Sequence, residues 1–279
     1  MNKKCYLCDS SDIKKIKEGV RDNPAINVYK CKNCGLEFLS EVTSKDNFYK
    51  KGEMHSKISI ENWLKKTSID DKRRIKQLEK YLKNKKVLDF GAGSGGFVTL
   101  AKKYAKLSIG YEIDESLQDY YSKNGIDVRK DLKNIDENFD IITMFHVLEH
   151  LNEPENHLKT LIDMLKDNGK LVIEVPNSND ALLTLYKNES FKNFTYWSCH
   201  VFGYNSKNLK LLFNKVGLKC EKVIYTQRFP YTNHLGWLKD KKAGGHLRYK
   251  TNNIINCIYI KILKLLNKTD TILMILSKK

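Results

Sequence analysis

The chain has 279 residues, 41% of them hydrophobic and 30% charged, with only four prolines. That is room for one α/β domain of ordinary size plus a small module, and the apolar content excludes an intrinsically disordered chain. Fifty Lys and Arg against 33 Asp and Glu give a formal net charge of +17, which favours anionic partners such as nucleic acid, a phosphorylated or nucleotide-linked small molecule, or an acidic membrane surface. The lysines are spread along the chain, so a basic surface with no specific partner is the competing explanation.

The opening Met1-Asn2-Lys3-Lys4 is not of signal-peptide type. A cytoplasmic location is therefore expected, where seven cysteines serve as metal ligands or free thiols and not as disulfides. Cys5-Tyr6-Leu7-Cys8 and Cys31-Lys32-Asn33-Cys34-Gly35 are both C-x-x-C pairs. Two residues between thiolates let each pair turn onto one ion. Two such turns make a closed S4 tetrahedron that suits structural Zn²⁺ and leaves no position open for catalysis. The rivals are a redox C-x-x-C, which lacks its usual βαβ surroundings, and a site that has lost its metal. Residues 1–45 are expected to form this zinc-binding module, whose core is too small to stand without the ion.

Residues 46–84 read as a linker and helical lid. Its helix is expected over residues 69–82, with Ile75, Leu78 and Leu82 on one face. Next comes a strand, Lys85 to Phe90, then the run Gly91-Ala92-Gly93-Ser94-Gly95-Gly96. Phe97, Leu100, Ala101 and Tyr104 follow at helical spacing. Further strands are expected over residues 107–111, 126–128, 139–144, 171–175, 218–225 and 271–277. Between them lie a short helix stopped at Asn124-Gly125, a helix from Pro154 to Asn168-Gly169, and one capped by Ser206 and ended by Gly217. Alternating strands and helices predict a doubly wound, mostly parallel seven-stranded α/β sheet over residues 85–279. Residues 254–276 are the most apolar late stretch, but three lysines, Asn256 and Asp270 within it exclude an unaided membrane span.

Gly91-x-Gly93-x-x-Gly96, with Glu112 after the second strand of the sheet, fits a nucleotide-binding loop whose carboxylate takes ribose hydroxyls. Alone, this leaves a dinucleotide open. Asp89, just before the loop, decides against it, because a carboxylate there would repel a pyrophosphate but attract a cationic amino group. Residues 87–97 (VLDFGAGSGGF), Glu112 and residues 139–154 (FDIITMFHVLEHLNEP) together resemble the class I S-adenosylmethionine-dependent methyltransferases. They look most like the branch that modifies sugars and other small molecules and carries an HVLEHL segment. The resemblance covers roughly residues 87–217 and implies a Rossmann-like methyltransferase fold. It further implies that Asp89 and the loop of Gly91, Ala92 and Gly93 hold the methionine part of the cofactor, Glu112 the ribose, and Asp131 with Leu132 the adenine. Phe145 and His146 would line the cofactor near its methyl. A metal at His146, Glu149 and His150 is set aside, since the segment is not H-E-x-x-H and would compete with the cofactor. Glu149 and His150 are expected to begin the next helix and to hold the loop by hydrogen bonds.

After Pro176-Asn177 comes an aromatic stretch with Tyr186, Phe191, Phe194, Tyr196 and Trp197, then Cys199-His200-Val201-Phe202-Gly203-Tyr204. His200 is the candidate catalytic base for an acceptor hydroxyl, with Tyr196 and Tyr204 behind it; loop anchoring is the alternative. An insertion, residues 227–268, offers Arg228, His246 and Arg248 to an anionic acceptor, around a flexible Ala243-Gly244-Gly245-His246; it serves equally as a dimer contact. The expected function is methyl transfer to an oxygen, nitrogen or carbon of a small acceptor, a sugar or nucleotide-sugar of surface-polysaccharide synthesis. The alternatives are an RNA-modifying methyltransferase that grips phosphates through its zinc module and basic surface, and a binding protein that keeps the fold without turnover.

Overall fold

The computed structural model describes residues 4–41, 46–53 and 58–279. The opening Met1-Asn2-Lys3 and the expected module boundary at residue 45 lie outside the described residues. The chain begins with β1 (Ile13–Lys17), β2 (Val28–Cys31), β3 (Glu37–Leu39), α1 (Asp46–Lys50) and α2 (Ile60–Leu82). Then come β4 (Lys86–Phe90), α3 (Gly96–Ala101), β5 (Leu107–Tyr111), α4 (Gln118–Lys123), β6 (Val128–Arg129), β7 (Phe139–Phe145), α5 (Pro154–Asp163) and β8 (Leu165–Pro176). The remainder is α6 (Ala181–Thr184), α7 (Glu189–Thr195), β9 (Phe202–Gly203), α8 (Ser206–Lys215), β10 (Leu218–Thr226), α9 (Tyr231–Leu235), α10 (Gly245–Arg248), α11 (Asn253–Leu265) and β11 (Thr271–Lys278).

The larger sheet has seven strands in the order β10-β11-β8-β7-β4-β5-β6. It is the mostly parallel, Rossmann-like sheet expected; β4 pairs in parallel with both β5 and β7, and β5 with β6. β4 is apolar and buried along nearly its whole length, as a central parallel strand covered on both faces must be. The chain leaves β4 toward β5 and β6 on one side and later returns to β7 on the other. This reversal is a topological switch point, where open α/β sheets bind ligands at the carboxyl ends of their strands. Asp89, Glu112 and His146 all lie at or just beyond such ends.

The smaller sheet is antiparallel, in the order β1-β2-β3-β9. Its last pairing sets Glu37 opposite Gly203 and Phe38 opposite Phe202, so a strand from beyond residue 200 completes the cysteine hairpin. The compact units accordingly do not follow the chain in order. One comprises residues 1–43, 148–152 and 174–274; the other comprises residues 44–147, 153–173 and 275–279.

Several elements differ from their expected limits. α2 starts nine residues early: Ser59 caps it by accepting from the Asn62 amide, and Ile60 and Trp63 pack on a cluster of Val98, Leu117, Tyr121, Ile126 and Val128. α3 ends at Ala101; Val98 and Ala101 are fully buried, Leu100 is only half-buried, and Tyr104 falls beyond it. α5 stops at Asp163, because the Met164 carbonyl accepts from the Phe139 amide and Leu165 opens a strand. Asn168-Gly169 is therefore part of β8 and not a helix cap. Asn205, not Ser206, caps α8, in a reciprocal capping box with Asn208. In the insertion, Arg248 binds Asp240 at 2.9 Å and the Ala243 carbonyl at 2.8 Å, so its guanidinium is engaged within the insertion itself. Gly245 is the first residue of α10, part of a folded turn and not of a flexible link. No helix among the described residues is long and apolar enough to cross a membrane.

Candidate active site

The cofactor-side residues expected from sequence all fall in the unit that holds β4, β5 and β7. Gly91 and Gly93 have φ of 80° and 51°, a region that side chains rarely tolerate. A Cβ on Gly91 would meet Val147 at 2.3 Å, and one on Gly93 would meet the Trp63 ring at 3.0 Å. The amides of Gly91 and Ala92 both donate to the Tyr111 carbonyl, at 2.8 and 3.0 Å, and the Tyr121 hydroxyl donates to the Gly93 carbonyl. The loop is thus a bare backbone cradle pinned from beneath by β5.

Two buried carboxylates flank it. Asp89 lies between Gly110 of β5 and Thr143 of β7 in the ladder, and the Thr143 hydroxyl donates to it at 2.6 Å. Burial pushes its pKa up to about 7, against the lowering effects of Thr143 and Arg74. Glu112 accepts from the Gly93 amide at 2.8 Å and from the Asp114 amide at 3.1 Å, and burial raises its pKa as well. Each carboxylate is therefore fixed by its neighbours and buried at a desolvation cost that a cationic or hydroxyl-bearing ligand would offset.

Asp131 is exposed and accepts from the Lys133 amide, with Leu132 half-buried beside it. Phe145 is buried edge-on against Phe97, at 4.9 Å between ring centroids, and the Arg74 guanidinium stacks 4.4 Å from its ring. His146 adopts φ of 56°, a left-handed conformation unusual outside glycine and concentrated at functional sites. Trp63, Arg74, Thr143 and Tyr121 were missed in sequence. The signal for Trp63 was Ser59 ahead of Ile60, Trp63 and Thr67, a capped helix start hidden by the lysines between them.

His200 belongs to the other unit. The Glu149-His150 pair does not begin α5 but forms its own 3₁₀ turn, and the His150 Nδ1 pairs with the Cys199 carbonyl at 2.8 Å, which does hold the loop. The rings of His150 and His200 lie 4.9 Å apart, with Trp197 5.3 Å from His200. A cavity of about 50 Å³ lies there, lined among others by Glu37, Glu149, Asn177, Tyr196 and His200. Glu37, on β3, is buried, ion-paired to Lys30 at 3.1 Å and bonded by the Tyr196 hydroxyl at 2.7 Å; burial raises its pKa despite both. Tyr204 is buried, with its carbonyl accepting from the Ser178 amide, and does not line the cavity.

The four N-terminal cysteines converge. Cys5 and Cys34 sulfurs are 3.5 Å apart, those of Cys8 and Cys31 3.6 Å, and no two of the four are more than 4.8 Å apart. Zinc–sulfur bonds of about 2.3 Å give tetrahedral edges of about 3.8 Å, so the spacing fits such an ion. None of the seven cysteines is in a disulfide. For Cys8, amide and side-chain donors outweigh burial and bring the thiol down to about 7, whereas burial raises Cys5 and Cys34.

Residues 63–223, more than half of the chain, match a family model described as a methyltransferase domain. The chain therefore belongs to the methyltransferase-domain family, and its activity is S-adenosylmethionine-dependent methyl transfer. An uncharacterized protein of Methanocaldococcus jannaschii is 25% identical over 170 residues, covering 60% of this chain and 80% of the relative. A ubiquinone biosynthesis O-methyltransferase of Coxiella burnetii is 30% identical over 118 residues, 38% of this chain; the match spans only 50% of that relative's length. Among solved structures, a possible histamine N-methyltransferase of Thermotoga maritima is similar in fold, with a TM-score of 0.52 at 20% identity over 84% of this chain and 98% of that one.

Proposed function

We propose that the enzyme methylates a hydroxyl of a small polyhydroxylated acceptor, a sugar or nucleotide-sugar of the kind used in surface-polysaccharide synthesis. The observation that carries this reading is the cavity beside His200. It gathers carboxylate, hydroxyl, amide and imidazole groups over an apolar wall of Val28, Leu39 and Phe202, a mixture suited to one hydroxyl-bearing edge of a sugar ring. The Coxiella relative, named for O-methylation, supports oxygen as the acceptor atom.

On the cofactor side, Asp89 takes the amino group, Gly91, Ala92 and Gly93 pass the methionine part, and Glu112 takes the ribose hydroxyls. Asp131 and Leu132 border the adenine, Phe145 and His146 border the reacting end, and Trp63 makes α2 a lid over the loop. Bound there, S-adenosylmethionine supplies a methyl carbon on a sulfonium, already a good leaving group. What remains for the chain is alignment and exclusion of water, together with removal of the acceptor proton by His200. Cys5, Cys8, Cys31 and Cys34 hold structural Zn²⁺ outside this chemistry.

The test is incubation of the enzyme with isotopically labelled cofactor and fractionated cell extract, read by mass spectrometry. Label in a sugar or nucleotide-sugar supports the reading. Label confined to RNA, with salt-sensitive RNA binding, would replace it with the reading that the net charge of +17 favours. His200→Ala is expected to slow transfer about a hundredfold while changing cofactor affinity little. Unaltered turnover removes His200 from proton transfer.

A further inference from the structure

Glu149, His150 and His200 place one carboxylate oxygen and two imidazole nitrogens within 4.8 Å of one another. We propose that these three residues form a second metal site, separate from the cysteines, that takes a divalent transition-metal ion such as Zn²⁺, Co²⁺ or Mn²⁺. The proposal rests on the reading that the adjacent cavity receives the acceptor.

Four observations support it. Nitrogen and oxygen ligands at about 2.0–2.2 Å from an ion lie roughly 3–4.4 Å from each other, so atoms within 4.8 Å of one another need only small side-chain rotations to close on one ion. His150 gives its Nδ1 to the Cys199 carbonyl, which leaves Nε2 as the lone-pair nitrogen; metal-binding histidines are commonly oriented by such a carbonyl. Both imidazoles sit on short fixed turns: the Leu151 amide donates to the Leu148 carbonyl, and the His200 amide to the Trp197 carbonyl at 3.1 Å. Glu149 is 2% exposed while the two histidines are only partly buried, so the anchor is internal and an ion can still enter.

Two histidines and one carboxylate leave a divalent ion with net positive charge and an open position, the arrangement of catalytic and not structural sites. Glu149 and His200 line the cavity, so that position would receive an acceptor oxygen. A hydroxyl bound there is acidified by the ion. The proton passes to solvent water as the methyl is transferred; with the ion in place His200 is a ligand, and it serves as the base only in the metal-free chain. The cysteine site cannot substitute, since four thiolates fill its coordination shell.

The experiment uses the full chain, loaded with excess Zn²⁺ or Co²⁺ and desalted. Metal analysis is expected to find two equivalents per chain, falling to one in Glu149→Gln. With cobalt, thiolate charge-transfer absorption should persist in that variant while a separate band from the nitrogen-oxygen site disappears. A single equivalent in the wild type, with the same cobalt spectrum in Glu149→Gln, overturns the proposal. If Glu149→Gln loses both equivalents by unfolding, His200→Asn decides by the same count. Two equivalents with no methylation of any sugar pool would overturn the acceptor reading and leave the metal site standing.

Discussion

The cofactor cradle and the acceptor cavity are built on opposite principles. The cradle is backbone: two glycines in left-handed conformations, amides donated to the Tyr111 carbonyl, and carboxylates at the ends of β4 and β5. The cavity is side chains drawn from β3, the turn at Glu149, the loop after β8 and residues 195–203. A cradle of backbone tolerates few substitutions and serves one ligand. A cavity of side chains can be refitted to new acceptors while the sheet stays as it is.

The widest separation between the two should come from removing the metal of the cysteine module. Cys31→Ser, which opens the cysteine site and spares Glu149, His150 and His200, is expected to abolish turnover while changing cofactor affinity less than about twofold, since a module this small depends on its ion for folding. Calorimetry with S-adenosylmethionine and a turnover assay on this variant would check it; loss of both together would mean that the regions are not energetically distinct. Glu112→Ala attacks the other side. Removing a buried carboxylate that accepts two amides is expected to cost about 2–3 kcal/mol, on the order of a hundredfold in Kd, read by calorimetry.

The pH dependence is smaller. Asp89, raised to about 7 by burial, must be ionised to attract a cationic amino group, so cofactor affinity should rise with pH through about 7. Binding is expected to be about tenfold weaker near pH ~6 than near pH ~8, and Asp89→Asn should flatten the profile. The same shift works against the free protein. With its folded pKa above its unfolded one, Asp89 contributes stability that is complete below about 4 and lost as pH rises through about 7. The mildest change, Asn205→Ala, removes the α8 cap and the donor to the Gly35 carbonyl. A loss of about 1 kcal/mol, or roughly 2–4 °C in Tm, is expected by calorimetric scan, with cofactor affinity untouched.

The same contrast explains what the sequence disclosed. Asp89, Gly91, Gly93 and Glu112 were legible because strand, turn and helix are contiguous there and the turn demands glycine. The sheet was legible through its apolar strands and its alternation with helices. Trp63 was not, because Lys65, Lys66 and Asp70 obscure the apolar face of the first half of α2. Glu37 was hidden, and the surroundings of Glu149 with it, for a different reason. Their neighbours His200 and Tyr196 arrive from far along the chain, and no local spacing records that meeting. His150 read as a helix start, yet its role is set by the Cys199 carbonyl, 49 positions later.

The two-residue strand β9 bears on how this enzyme could be dissected. Among the described residues, Phe202 and Gly203 find their ladder partners in Phe38 and Glu37, and the Val201 carbonyl accepts from the Leu39 amide. A chain begun at residue 46 would not be a minimal catalyst. It would lay bare an apolar edge beside His200 and invite that edge to pair with another molecule. Grafting acceptor specificity from a relative would therefore require exchanging residues 4–41 and 195–207 together, as one inheritable cassette.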